Sequence, residues 1–138
     1  MKTLTINRRS LAYFCALVAI TLSGLAHGQQ SGPVENKGVA NKPLGTVDLG
    51  PEIDGMTGRQ LRIRAVTIEP GGTIATHSHL GRPAVEYVVQ GTVTEYRNGV
   101  TKVYGPGDVV TANKDTVHGW ENKGSTPAIL LPVDIIKP

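Results

Sequence analysis

The chain of 138 residues predicts an all-β domain, closed into a barrel or folded as a sandwich. Three observations carry this expectation. After residue 28 the apolar residues fall in short, β-branched and aromatic runs separated by Gly- and Pro-rich turns. No stretch of that region repeats its apolar residues with a helical period over a useful length. Asn98-Gly99 sits between two such runs and is the strongest short signal for a hairpin.

Residues 1–28 stand apart. Lys2, Arg8 and Arg9 form a positive start, SLAYFCALVAITL is an apolar stretch short for spanning a bilayer, and Ala26-His27-Gly28 offers small residues where a signal peptidase reads. The pattern predicts a secretory signal peptide, and hence a periplasmic or secreted protein with no membrane attachment once the signal is removed. Arg8-Arg9 loosely follows a twin-arginine signal, and an ordinary positive start explains it equally well. Those three cations are the whole formal excess of +3, so the rest of the chain balances to zero. Nucleic-acid binding needs clustered positive charge on the folded domain, so no nucleic-acid partner is expected. The one cysteine, Cys15, leaves with the signal, which excludes disulfides and thiolate catalysis.

Residues 29–43, QQSGPVENKGVANKP, have no hydrophobic period and are expected to form a flexible leader, with the barrel domain over 44–138. LGTVDLG gives a first strand. Leu61 to Glu69 alternates apolar with basic residues and changes phase at Ala65-Val66, as a bulged strand would. Glu69-Pro70-Gly71-Gly72 places Pro and Gly at the centre of a type II turn, after which Thr73 to Ser78 resumes as strand. Val85 to Gln90 is a further strand, broken by Gly91. Thr92 to Arg97 and Val100 to Tyr104 flank the hairpin, Gly105 to Asp108 is a turn, and Val109 to Ala112, Val117 to Glu121 and Ala128 to Ile136 complete the set.

His77 and His79 are separated by one residue, so on an extended strand both rings leave the same face. The one other histidine after residue 28 is His118, in the strand-like run TVHGWEN. A single His-x-His is more often surface or satisfied core. Three neutral imidazoles meeting from two neighbouring strands make a metal site with a position left open for water or substrate.

The same residues resemble the two motifs of the cupins. The spacing from Gly71 through His77 and His79 to Gly91 is similar to the first motif, and that of Gly107, Asn113, Asp115, His118 and Asn122 to the second, with 15 residues between Gly91 and Gly107. The resemblance runs roughly from Glu69 to Asp134. It implies a double-stranded β-helix, or jelly-roll, barrel with His77, His79 and His118 as metal ligands, similar to the small quercetin-dioxygenase-like members. Two departures stand out. The family's metal-binding glutamate falls on Ala84, and the second motif carries Asn113 and Asp115 in place of Pro and Gly, which keep the turn. Glu86, two residues along the strand from Ala84, is assigned a proton-handling role beside the metal, with direct ligation the lesser reading.

Three imidazoles suit iron, manganese, nickel, copper or zinc without choosing among them. Lacking a carboxylate, such a site keeps the cation's full charge and favours a carboxylate, enolate or phenolate. The expected function is a metal-dependent enzyme of dioxygenase type acting on a small organic acid or phenolic compound. A non-catalytic binding or sensing cupin, and an isomerase or lyase using the metal as Lewis acid, are the alternatives. Arg82, near the pocket mouth, is the candidate anchor for an acid. Trp120 shares the face of His118 and is expected to line the pocket or plug one end of the barrel. Tyr87 and Tyr96 are expected in cross-strand pairs on the outer face, where apolar strands invite a homodimer.

Overall fold

The computed structural model describes residues 31–138, so the signal-peptide expectation for 1–28 lies outside the described residues. Eight strands make up the fold: β1 (Lys37–Asp48), β2 (Gln60–Ser78), β3 (Ala84–Gln90), β4 (Val93–Arg97), β5 (Val100–Tyr104), β6 (Val109–Ala112), β7 (Val117–Glu121) and β8 (Ala128–Ile136). They hydrogen-bond antiparallel in the order β5-β4-β7-β2-β8-β3-β6, with β1 added along β2. The result is the expected all-β jelly-roll barrel, curled almost to closure. Asn98 and Gly99 both adopt positive φ, 54° and 74°, which is the two-residue turn that joins β4 to β5 with matching twist.

The strand β2 organises the barrel. Its first half pairs with β8, from Gln60 opposite Ile136 to Ile68 opposite Ala128. Its second half pairs with β7, and there His77 stands opposite His118. Pro70 and Gly71 mark the changeover. Gly71 takes the positive φ of 71° that a type II turn requires, yet the chain does not reverse; the expected turn is a corner within one long strand.

Along β2 and β8 the inward residues form rungs. Arg62 faces Asp134, which faces Ala84 on β3. Deeper in, Val66 faces Leu130, which faces Val88. Between these rungs lie Arg64 on β2 and Glu86 on β3, the latter opposite Pro132. The interior therefore grades from charged at one end to a core of Val66, Ile68, Val88, Val93, Val110, Trp120, Ala128 and Leu130 at the other. Alternation continues through Ala84, Glu86 and Val88, all buried, against exposed Val85, Tyr87 and Val89.

Two sequence expectations are corrected here. Residues 37–43 are not a flexible leader: they are the first half of β1, which pairs with β2 from Lys37 opposite Thr73 to Asp48 opposite Gln60. This strand is almost wholly exposed, with Val39 alone packed on the core, so its order comes from backbone pairing and leaves no hydrophobic alternation to read. Nor is there a bulge at Ala65-Val66. The register with β8 runs unbroken through those residues. The phase change arises because Arg62 and Arg64 are the inward residues of the first part, while Leu61 turns outward and is exposed.

Candidate metal centre

The corner at Gly71 swings the end of β2 alongside β7, and the alternation of the strand then aims His77 and His79 at the same interior point as His118. His79 Nε2 lies 3.2 Å from His77 Nε2 and 3.0 Å from His118 Nε2. Metal–imidazole bonds of about 2.0–2.1 Å put ligand nitrogens about 2.9–3.4 Å apart, from octahedral to tetrahedral angles, so the spacing suits a single first-row ion. His79 and His118 are fully buried.

The opposite ring nitrogens fix the tautomers. His77 Nδ1 donates to the Ala75 carbonyl at 2.9 Å, His79 Nδ1 to the Arg82 carbonyl at 2.9 Å, and His118 Nδ1 to Glu95 Oε1 at 2.6 Å. Each partner accepts only, so each proton sits on Nδ1 and each Nε2 presents a lone pair. Three lone pairs then point at one spot without a donor among them, an arrangement that a cation relieves. Burial holds His79 down to about 4 and also lowers His77, which keeps both rings in the neutral, ligating form.

Glu95 did not stand out in the sequence. It lies on β4, buried, with Arg97 Nε at 2.8 Å from Oε1 and the Tyr104 hydroxyl at 3.1 Å from Oε2. Burial alone would raise its pKa, but the hydrogen bonds from His118 and Arg97 win and leave it below the ordinary value, hence ionised. A charged residue at an inward position of a hairpin strand was the one signal available for it.

The other expected residues surround the centre. Glu86 is buried, with Oε1 4.0 Å from His79 Nε2, and burial raises its pKa. The cluster with coordinating geometry among the described residues consists of the three histidines. Ala84 lies on the rung of Asp134, at the charged end of the interior. Trp120 is fully buried, its ring centroid 5.2 Å from that of His118 and 5.9 Å from that of Tyr104. Tyr87 faces outward as expected, whereas Tyr96 is buried and its hydroxyl donates to Glu121. Asn113 keeps its turn through side-chain oxygen, which accepts from Asp115 N at 3.0 Å and from Thr116 Oγ1 at 3.2 Å, and neither Asn113 nor Asp115 needs positive φ.

Arg82 is drawn to Asp134, with Nη1 3.1 Å from Oδ2. Arg62 makes a two-point contact with the same carboxylate at 3.0 and 2.8 Å. Burial would raise the Asp134 pKa, but these guanidinium groups hold it below the usual value. A cavity of about 440 Å³ opens beside His77 and is bounded by Arg64, Arg82 and Glu86 on its polar side, by Val66, Ile74 and Trp120 on its apolar side, and by Asn36, Val39 and Asn41 from β1 and its approach.

Comparison with known proteins agrees with this geometry. The cupin-domain family profile, Cupin_2, matches residues 64–134. The auxin-binding proteins ABP19b and ABP19a of Prunus persica are each 30% identical over 92 residues, which is 63% of this chain. The chain spans 44% of the length of these relatives. Among solved structures, an RmlC-like cupin from Shewanella frigidimarina superposes with a TM-score of 0.56 at 22% identity, covering 78% of this chain and 86% of that one. KdgF from a Halomonas species gives 0.57 at 21%, covering 70% and 78%. A predicted oxalate decarboxylase from Thermotoga maritima gives 0.51 at 19%, covering 69% and 92%. At these identities the solved structures speak for the fold.

Proposed function

Since the chain belongs to the cupin family, we propose that it is a metal-dependent enzyme of dioxygenase type acting on a small organic acid or phenolic compound, exported to the periplasm or beyond. The observation that supports this most is the convergence of three Nε2 lone pairs beside a cavity. His77, His79 and His118 would hold the ion. Such an ion, when bound, supplies Lewis acidity and affinity for anionic oxygen, and iron or copper adds redox chemistry toward dioxygen.

The chain's own residues supply the rest. Glu86 would take a proton from a substrate hydroxyl or α-carbon and return it, a role supported by its raised pKa and its position 4.0 Å from His79 Nε2. Arg82 bounds the cavity and lends positive charge to an acid substrate. Trp120 closes the interior behind His118 and keeps water from that side. Binding without turnover is the second reading, favoured by Ala84 in the place of the family's metal-binding glutamate and by relatives named for binding auxin.

The test is metal analysis of protein purified without added metal, followed by oxygen uptake across phenols, β-diketones and small carboxylic acids. One ion per chain with uptake on one substrate class is the expected result. One ion with no uptake on any class supports the binding reading, and failure to bind iron, manganese, nickel, copper or zinc overturns both. Export is checked by cell fractionation, with a mature N-terminus at Gln29 expected.

A further inference from the structure

We infer that the cavity beside the three histidines takes a monocarboxylate with an apolar body, and that Arg64 is the residue that holds its carboxylate. This deepens the functional reading above and rests on it for the identity of the site.

The first argument is charge. Arg62, Arg64 and Arg82 all converge on the single carboxylate of Asp134. Glu86 is the acid that lines the cavity itself, beside Arg64 and Arg82. Even with Glu86 ionised, three guanidinium groups face two carboxylates, and one positive charge is left without a counterpart. The cavity is open to solvent on one side, so screening reduces that excess, but its walls keep it felt by whatever enters.

The second argument identifies which guanidinium is free. Arg62 and Arg82 reach Asp134 at 2.8 to 3.1 Å. Arg64 reaches it only from Nη2 at 3.4 Å, and its Nε is the buried side-chain polar atom without a partner among the described residues. A guanidinium carries five N–H donors, and among the described residues Arg64 makes a side-chain hydrogen bond from Nη2 alone. Its side chain retains 17% exposure, and the residue bounds the cavity. A planar fork of this kind matches a carboxylate at two points.

The third argument is shape. Arg64 lies between the rung of Arg62 and Asp134 and the apolar rung of Val66 and Leu130. A carboxylate on Arg64 therefore has Val39, Val66, Ile74, Leu130 and Trp120 within the same cavity to cover the rest of the molecule. A phenol would leave the spare charge unanswered, and a dicarboxylate would drive a second charge against those walls.

The experiment uses the full mature protein, stripped of metal, titrated with acetate, benzoate and phenylacetate and with the neutral counterparts ethanol, benzyl alcohol and 2-phenylethanol. Binding is followed by calorimetry and by chemical shifts of the arginine Nε–H groups. Benzoate or phenylacetate is expected to bind about tenfold or more tighter than its alcohol and tighter than acetate. Arg64→Met should erase the preference, Arg64→Lys should keep part of it, and Arg59→Met, outside the cavity, should leave it intact. Equal binding of acid and alcohol, no binding of any acid, or a preference that survives in folded Arg64→Met overturns the proposal. If Arg64→Met fails to fold, the Arg64 Nε–H shift on adding benzoate decides: movement supports the contact and a fixed signal overturns it. Zinc titration of the same samples separates the two failures, since carboxylate preference without zinc binding sinks the metal reading alone, and zinc binding without the preference sinks this one alone.

Discussion

His118 Nδ1 lies 2.6 Å from Glu95 Oε1, and both side chains are buried. The carboxylate fixes the tautomer that turns the Nε2 lone pair toward the other two rings, and Arg97 and Tyr104 hold the carboxylate in turn. Glu95→Ala frees the ring to rotate and to exchange its proton between nitrogens. Metal affinity should fall about 10- to 100-fold, measured by competition with a chelator. His118→Ala removes a ligand outright and should cost more than Glu95→Ala in the same assay; equal losses would place Glu95 itself on the metal.

The acid limit of metal binding follows from the two depressed imidazoles. Protons compete for the same Nε2 atoms, and a free histidine would begin to lose that competition at about pH 6.5. Burial holds His79 at about 4 and lowers His77, so the competition at these two rings should set in below pH 6.5, that at His79 only toward pH 4. Metal-free stability carries the same sign. The unfolded chain protonates His79 before the folded one does, so the stability this group contributes declines as pH drops from about 6.5 toward 4 and levels off below. Glu86 works in the opposite direction because its folded pKa is raised. Urea unfolding of the Glu86→Gln protein across that range should therefore show a steeper decline than the parent.

Much of this was readable in the sequence because it depends on local spacing. Strand alternation puts His77 and His79 on one face, and Asn98-Gly99 makes a hairpin wherever it occurs between strands. The parts that escaped depend on partners distant in the chain. Arg62 and Arg64 look like the solvent side of a strand until Asp134, about 70 residues on, is known to face them. Glu95 acquires its role only when β4 settles beside β7, with Arg97 opposite His118. The start of β1 escaped for a different reason: an exposed strand ordered by backbone pairing imposes no pattern on its side chains.

Asp134 is the hub of the charged end, fully buried beneath Arg62, Arg64 and Arg82. Asp134→Asn keeps the volume and removes the charge, leaving three guanidinium groups in mutual repulsion with none but the Glu86 carboxyl near Arg64 and Arg82 to offset them. Breaking a buried pair in this way typically costs about 3–5 kcal/mol, and partial exposure of the arginines places the expectation toward the lower figure. Chemical denaturation at neutral pH checks it. A loss below 1 kcal/mol, on the order of an exposed pair, would mean that the arginines turn out to solvent when released.

Ala84 offers the sharpest test of how the site balances charge without a fourth ligand. Its side chain is buried on the inner face between Asp134 and Ala112, two residues before Glu86. Ala84→Glu restores a carboxylate at the family's ligand position and brings two opposing consequences. With metal bound, an added anion beside the cation should tighten binding, by tenfold or more if it coordinates, on the order of 1.4 kcal/mol. Without metal, the new carboxylate is buried near Asp134 and Glu86 and overfills a small-residue position, so stability should drop by about 1–3 kcal/mol. Chelator competition and metal-free unfolding, run on the same preparation, should move in opposite directions. If affinity stays at the parent level while stability falls, the Ala84 position is too far from the three nitrogens to reach the ion, and the site is complete with histidine alone.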